Sequence, residues 1–189
     1  INNDIAFLRN HWESIKKGIK FSLSLQHDNG AIAWNIDDKG EIDDDYLLTG
    51  CSSIAKSLEC AIAISQILDY ESIEKEWRNA HAKLIEAIEN PIGIFDLKKD
   101  RSKFSMDSYY PILGGISSKN TVSSLISSVK KSFWIKGLGI KCVADEPWIT
   151  VAETSECSIA FKKIGENEIA LELLHNAIAI VDTRSIPYM

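Results

Sequence analysis

The sequence has no stripe of lysine or arginine able to follow a phosphate backbone. Its net charge is −6, and Lys98, Lys99, Arg101 and Lys103 form its one dense basic cluster, with Lys16, Lys17 and Lys20 sharing a helix face. A nucleic-acid partner is therefore not expected. Long apolar runs are lacking too: the longest, around Ala61 to Ile64, is far too short to span a bilayer. No signal-peptide pattern opens the chain. Cysteine is scarce. Cys51, Cys60, Cys142 and Cys157 form neither a Cys-x-x-Cys pair nor a disulfide scaffold, and they read as reduced thiols of a cytoplasmic protein. His11, His27, His81 and His175 are scattered without the spacing of a zinc site, so no metal is expected. Gly-x-Gly-x-x-Gly, a Walker loop and Gly-x-Ser-x-Gly are all missing, and no cofactor follows from the residues.

What is present is a globular composition. The 189 residues are 45% hydrophobic and 25% charged, which suits one domain with a sizeable core. Ile5, Leu8, Trp12, Ile15 and Ile19 recur at helical spacing, with Arg9, Glu13, Lys16, Lys17 and Lys20 opposite them. After a polar loop from Gln26 to Leu48, the helix Cys51–Leu68 is apolar almost all round, which predicts cover on most sides. A short turn at Asp69–Glu71 leads to an amphipathic helix. It faces Ile73, Trp77, Ala80, Leu84 and Ile88 inward and stops at Pro91.

The alternation then repeats. A loop from Pro91 to Ser105 precedes a short apolar helix near Tyr109–Ile116, with Gly114-Gly115 placed inside it by close packing. An amphipathic helix over Val122–Trp134 follows. A third loop, Ile135–Ile149, leads to helices at Val151–Ile164 and Ile169–Val181. The covered helices begin roughly 50 residues apart, near the period of helical-pair arrays. Short turns make the pairs antiparallel, so the long loops should leave from one end. The expected fold is all-α: an α/α toroid of inner and outer helices, or an arc of one, with no β structure. Residues 1–189 read as a single helical-hairpin domain.

The loops hold the chemistry. The first carries His27, Asp28, Trp34, Asp37, Asp38, Glu41, Asp43, Asp44, Asp45 and Tyr46. The second ends in Asp100, Arg101, Phe104, Met106, Asp107, Tyr109 and Tyr110. The third holds Cys142, Asp145, Glu146 and Trp148, with Glu153 and Glu156 on the helix after it. Acids can move protons, and aromatic faces stabilise cations or stack on sugars. Each residue also has a plainer reading. Thr150-Val-Ala-Glu153 has the form of a capping box, which would turn Glu153 back to the backbone. Asp107 could cap the helix whose first turn holds Pro111. Asp43–Asp45 suit a solvated loop at a helix N-terminus. Trp12 and Trp77 lie on apolar faces and belong to the core. The candidate catalytic residues are Asp107, Asp145 and Glu156, and the candidate substrate-binding residues are Trp34, Tyr109, Tyr110 and Trp148. All seven are expected to line one concavity.

Two stretches resemble a bacterial prenyltransferase-like group associated with the terpenoid cyclase and protein prenyltransferase toroid. They are Phe104-Ser-Met-Asp-Ser-Tyr-Tyr-Pro-Ile-Leu-Gly-Gly115 and Gly139-Ile-Lys-Cys-Val-Ala-Asp-Glu-Pro-Trp-Ile-Thr-Val-Ala-Glu-Thr-Ser-Glu156. In that group the first motif reads Met-Asp-Trp-Tyr-Tyr-Pro, and Ser108 stands here in place of its tryptophan. Gln26-His-Asp-Asn-Gly30 followed by Trp34 is similar to the Gln-x-x-x-Gly…Trp repeat of triterpene cyclases, at a longer spacing. The cyclase motif Asp-x-Asp-Asp is not present; Asn35-Ile-Asp-Asp38 and Glu41-Ile-Asp-Asp44 come nearest. The zinc ligands of protein prenyltransferases have no counterpart.

The resemblance implies a toroid enzyme acting on an isoprenoid or similar apolar small-molecule substrate. The residues also allow a carbohydrate-active toroid, or a helical-repeat module that binds without catalysis. A full toroid of six hairpins needs on the order of 300 residues at this repeat. With that and an opening at Ile1 rather than Met, we expect an open arc belonging to a longer protein. Its edge at Ile169, Leu173, Leu174 and Ile178, or at Leu8 and Trp12, would be an apolar surface for self-association.

Overall fold

A computed structural model describes residues 4–116 and 118–184; residues 1–3 and 185–189, the ends of the expected domain, lie outside the described residues. The described chain is all-α in character, with seven α-helices and one two-stranded sheet. It divides into two compact units that meet in sequence at Lys98 and Lys99. Among the described residues no helix is long and apolar enough to cross a membrane.

In the first unit, helix α1 (Ile5–Ser24) starts where the Asp4 carboxylate accepts the Phe7 N–H at 2.9 Å, an ordinary N-cap. Trp12 and Ile19 on its inner face are buried. Trp12 stacks on Tyr70 with ring centroids 4.9 Å apart and leans on Trp77 at 5.5 Å. Helix α2 (Leu48–Ile67) buries Cys51, Ala55, Leu58, Ile62 and Ser65, a stripe at helical spacing. That stripe packs on Trp77, Ala80, Leu84 and Ile88 of α3 (Glu71–Glu89). The all-round cover expected of α2 is not met within this unit, since Glu59, Cys60, Ala63 and Ile67 are exposed. The connection between α2 and α3 turns at Asp69, which takes a left-handed φ of 61°.

The first loop is more ordered than its polarity suggested. Two successive reversals are pinned by isolated bridges, Gln26 with Ile32 and Ile36 with Ile42. Gly30 sits at φ +86°, and a Cβ there would lie 2.3 Å from the Lys83 carbonyl oxygen. Glycine is therefore required at this close approach. Gln26 donates to the carbonyls of Gly30 (2.9 Å) and Ala80 (3.0 Å), tying the loop to α3. The second loop begins on top of the first: the Asp96 N–H donates to the Tyr46 carbonyl at 2.9 Å, and Lys98 bridges Asp43 (2.7 Å) and Asp44. The acidic run is thus paired by Lys98, not merely solvated.

In the second unit a 3-10 turn (Ser105–Ser108) leads into α4 (Tyr110–Gly114), with Pro111 in its first turn. Gly115 ends α4 in the left-handed conformation at φ 111°, so the Gly-Gly pair closes this helix and does not lie inside it. Helix α5 (Lys119–Ser128) runs into one π-turn (Val129–Phe133), so the helical run starts before the expected Val122 and stops just short of Trp134. Strands β1 (Trp134–Ile135) and β2 (Gly139–Ile140) then pair antiparallel, correcting the expectation of no β structure. Helix α6 (Val151–Lys163) and α7 (Asn167–Arg184) form a closely packed antiparallel pair. On α7 Leu173 is fully buried, while Leu174 and Ile178 are about half exposed.

Candidate functional site

The second unit assembles its site from three segments. The chain at Lys103–Ser105 lies beside Cys142–Ala144: Ser105 N–H donates to the Cys142 carbonyl (3.1 Å), and Ala144 N–H donates to that of Lys103 (2.9 Å). Beyond β2 the third loop doubles back, with the Cys142 N–H on the Trp148 carbonyl at 2.8 Å. The Thr150 hydroxyl oxygen then accepts the Glu153 N–H and starts α6. Packing of α4 against α6 brings the pair Tyr109–Tyr110 to the first turns of α6.

The result is a carboxylate held by two phenols. Tyr109 donates to one oxygen of Glu156 at 2.9 Å and Tyr110 to the other at 3.0 Å. Tyr109 is completely buried. Burial, reinforced by the Glu156 charge, pushes its hydroxyl far above the ordinary tyrosine range. Tyr110 is pushed up to about 12, again by burial first and by its bond to Glu156 second. Both phenols therefore stay protonated and act as permanent donors. They fix Glu156 in one orientation and leave each oxygen a second lone pair.

Glu153, one turn earlier on the same helix, does not close the capping box back onto Thr150. Its carboxylate instead meets the Cys142 thiol, which burial and this hydrogen bond raise to about 11. Neither residue is among the seven candidates; the three-residue spacing on α6 says only that Glu153 and Glu156 share a helix face.

The other candidates are placed as follows. Asp107 is half-buried on the 3-10 turn, and Tyr109, not Asp107, occupies the N-cap of α4. Asp145 is exposed at the tip of the third loop, and Trp148, 57% exposed, stands at its base. Trp34 belongs to the first unit. It is 62% exposed at the rim of a recess lined by Ile32, Ala33, Leu47, Gly50, Cys51, Ser53 and Ile54. Tyr109, Tyr110 and Glu156 are thus brought into contact. Among the described residues no group of three or more His, Cys, Asp or Glu side chains could hold a metal ion.

Comparison with known proteins gives this geometry a context. No family model matches the chain. Over 166 residues it is 37% identical to a protein of Mycolicibacterium hassiacum named MMP endo-(1,4)-3-O-methyl-alpha-D-mannosidase. The match takes in 88% of this chain and 45% of that protein, so the chain spans less than half the relative's length. As one continuous stretch, 166 of 189 residues can begin no later than residue 24 and end no earlier than residue 166. The match therefore runs through both units and past all seven candidate residues.

This overturns the prenyltransferase-like and terpenoid cyclase reading. The relative is named for a glycosidase activity, and the isoprenoid substrate expected from the resemblance is withdrawn. The physical reason for the error is that acids beside aromatic rings serve a developing carbocation and a sugar equally well.

Proposed function

We propose that this chain forms part of a glycoside hydrolase that cuts within chains of α-linked mannose units, 3-O-methylated ones included, with Glu156 at the reacting centre. The observation that carries the reading is the 37% identity to the mannosidase over a stretch that includes Glu156 and its two tyrosines. Its helical hairpins would supply one arc of an α/α ring, the architecture read from the threefold alternation of covered and outer helices.

Glycosidic cleavage needs two carboxyl groups: one to protonate the leaving oxygen, the other to attack the anomeric carbon or activate water. Glu156 suits the second task. Both of its oxygens accept hydrogen bonds from phenols, which orients the carboxylate and supports its charge. Tyr109 and Tyr110 are positioning residues. Asp107 and Asp145 are the candidates for the acid, and Trp148 is a stacking surface for a sugar ring.

The test is hydrolysis of α-(1,4)-linked 3-O-methylmannose oligosaccharides by the complete protein, with products sized by mass spectrometry. Glu156→Gln should lower kcat by about 10²–10⁴-fold with the fold intact by circular dichroism. Absence of cleavage by the unaltered protein, or full activity in Glu156→Gln, would sink the reading.

A further inference from the structure

We propose that the recess beneath Trp34 is a sugar subsite that selects a methyl ether over the corresponding free hydroxyl. The sugar class rests on the glycosidase reading above; the selectivity rests on the recess itself, which lies wholly within the first unit.

The recess holds about 280 Å³. Its floor is Ile32, Ala33 and Cys51, all buried, and Leu47 and Ile54 form the walls. The N–H groups of the floor are already spent. The Cys51 sulfur accepts the Ile32 N–H at 3.4 Å, and its thiol faces the Ile32 carbonyl at the same distance. Ala33 N–H donates to the Leu25 carbonyl (3.0 Å), Trp34 N–H to that of Asp45 (2.9 Å) and Cys51 N–H to that of Leu47 (2.9 Å). Burial raises the Cys51 thiol to about 11, so no charge develops there at neutral pH.

A hydroxyl entering this floor loses its water against aliphatic and sulfur surface and finds no free N–H there, which is unfavourable. A methyl group finds aliphatic and sulfur surface and is favoured. At the rim the requirements reverse. Trp34 offers a large exposed indole for the apolar face of a pyranose, and Ser53 offers a hydroxyl. A ring stacked on Trp34 thus has the Ser53 hydroxyl beside it and an apolar pit for one methyl below.

Gly50 gives a clean way to fill the pit. It lies on the first turn of α2, and a Cβ there meets only the Leu47 Cβ, at an ordinary 3.6 Å. Gly50→Leu should therefore fold, with helix propensity in its favour, while occupying the recess.

The experiment is a calorimetric titration of the full chain with two α-(1,4)-linked mannose oligosaccharides of equal length, one 3-O-methylated and one not. The methylated ligand should bind roughly tenfold or more tightly, the usual discrimination of an apolar pocket for one methyl-sized group. Gly50→Leu should erase the preference with an unchanged or higher melting midpoint, and Trp34→Ala should weaken both ligands together. Equal affinities in the unaltered protein, no binding of either ligand, or a preference that survives Gly50→Leu would overturn the proposal. Hydrolysis measured in parallel separates the two ideas. Selective binding without cleavage leaves the recess standing and removes the glycosidase, whereas cleavage without methyl preference does the reverse.

Discussion

The two units hold themselves together differently. The first is built on three long helices, a stacked group of Trp12, Tyr70 and Trp77, and an aliphatic stripe on α2. Its charges sit outside as surface pairs such as Glu13–Lys16, Glu74–Arg78 and Asp43–Lys98. The second has shorter helices and draws polar groups inward. Thr154 bonds the Ile140 N–H (2.9 Å), Ser158 donates to the Ala170 carbonyl (2.7 Å), Ser108 pairs with Ser128 (3.0 Å), and two tyrosines grip Glu156. Apolar packing is forgiving of direction, whereas a buried hydrogen bond must be satisfied at a fixed geometry. The second unit accordingly fixes one carboxylate in a single orientation, and the first offers shape.

If that contrast is correct, the largest losses of stability follow removal of rings from the first unit. Trp77→Ala should cost about 3–5 kcal/mol in urea unfolding, because the cavity leaves Trp12 without its neighbour. In the second unit the informative change keeps volume and removes polarity. Thr154→Val leaves the buried Ile140 N–H unpaired and should cost about 1–3 kcal/mol, more than an exposed Thr→Val would. Equal tolerance of the two substitutions would break the distinction.

Alkaline titration sharpens it further. In the unfolded chain the tyrosines ionise near their ordinary value of 10.0, and in the folded chain Tyr110 ionises at about 12 and Tyr109 higher still. Below pH 10 these tyrosines are protonated in both states and add no slope. Above it the unfolded chain loses protons first, so stability falls as pH rises towards 12. The buried thiols of Cys51 and Cys157, raised from 9.0 to about 11 and about 12, begin their own fall a unit earlier, from pH 9. The diagnostic is therefore a shallower fall in Tyr109→Phe and Tyr110→Phe, read from urea midpoints across pH 8–12. The smallest effect belongs to the surface of the first unit. Lys98→Ala should move the melting midpoint by no more than the scatter of the measurement, and high salt should remove any residue of it.

The helices were legible because each carries an apolar stripe of the right period, and the ends of α3, α6 and α7 fall within a few residues of where Pro91, Thr150 and Gly165 suggest. The hairpin was not legible: β1 and β2 have two residues each, too few for any alternation, and Trp134 continues the apolar period of α5. The joining of Tyr109, Tyr110 and Glu156 could be anticipated from loops expected to gather at one end. The pairing of Glu153 with Cys142 could not, because a capping motif explains Glu153 by backbone needs alone. The recess was hidden for another reason. Gly50 reads as a weak helix residue, and the absence of a side chain registers as space only when its neighbours are in place.

One hydroxyl in the second unit has a consequence for how the gene can vary. Thr154 donates to the Thr150 carbonyl at 2.6 Å, accepts the Ile140 N–H at 2.9 Å and lies against Gly139, where a Cβ would come within 2.6 Å. It works as a dowel that indexes strand to helix. Because the alignment is set at Ile140, the exposed turn Lys136–Leu138 upstream is released from that duty and can change in length or composition while Glu156 keeps its place. An inserted residue in that turn is a tolerated edit, whereas the same insertion between Ile140 and Thr154 shifts the pin out of its hole.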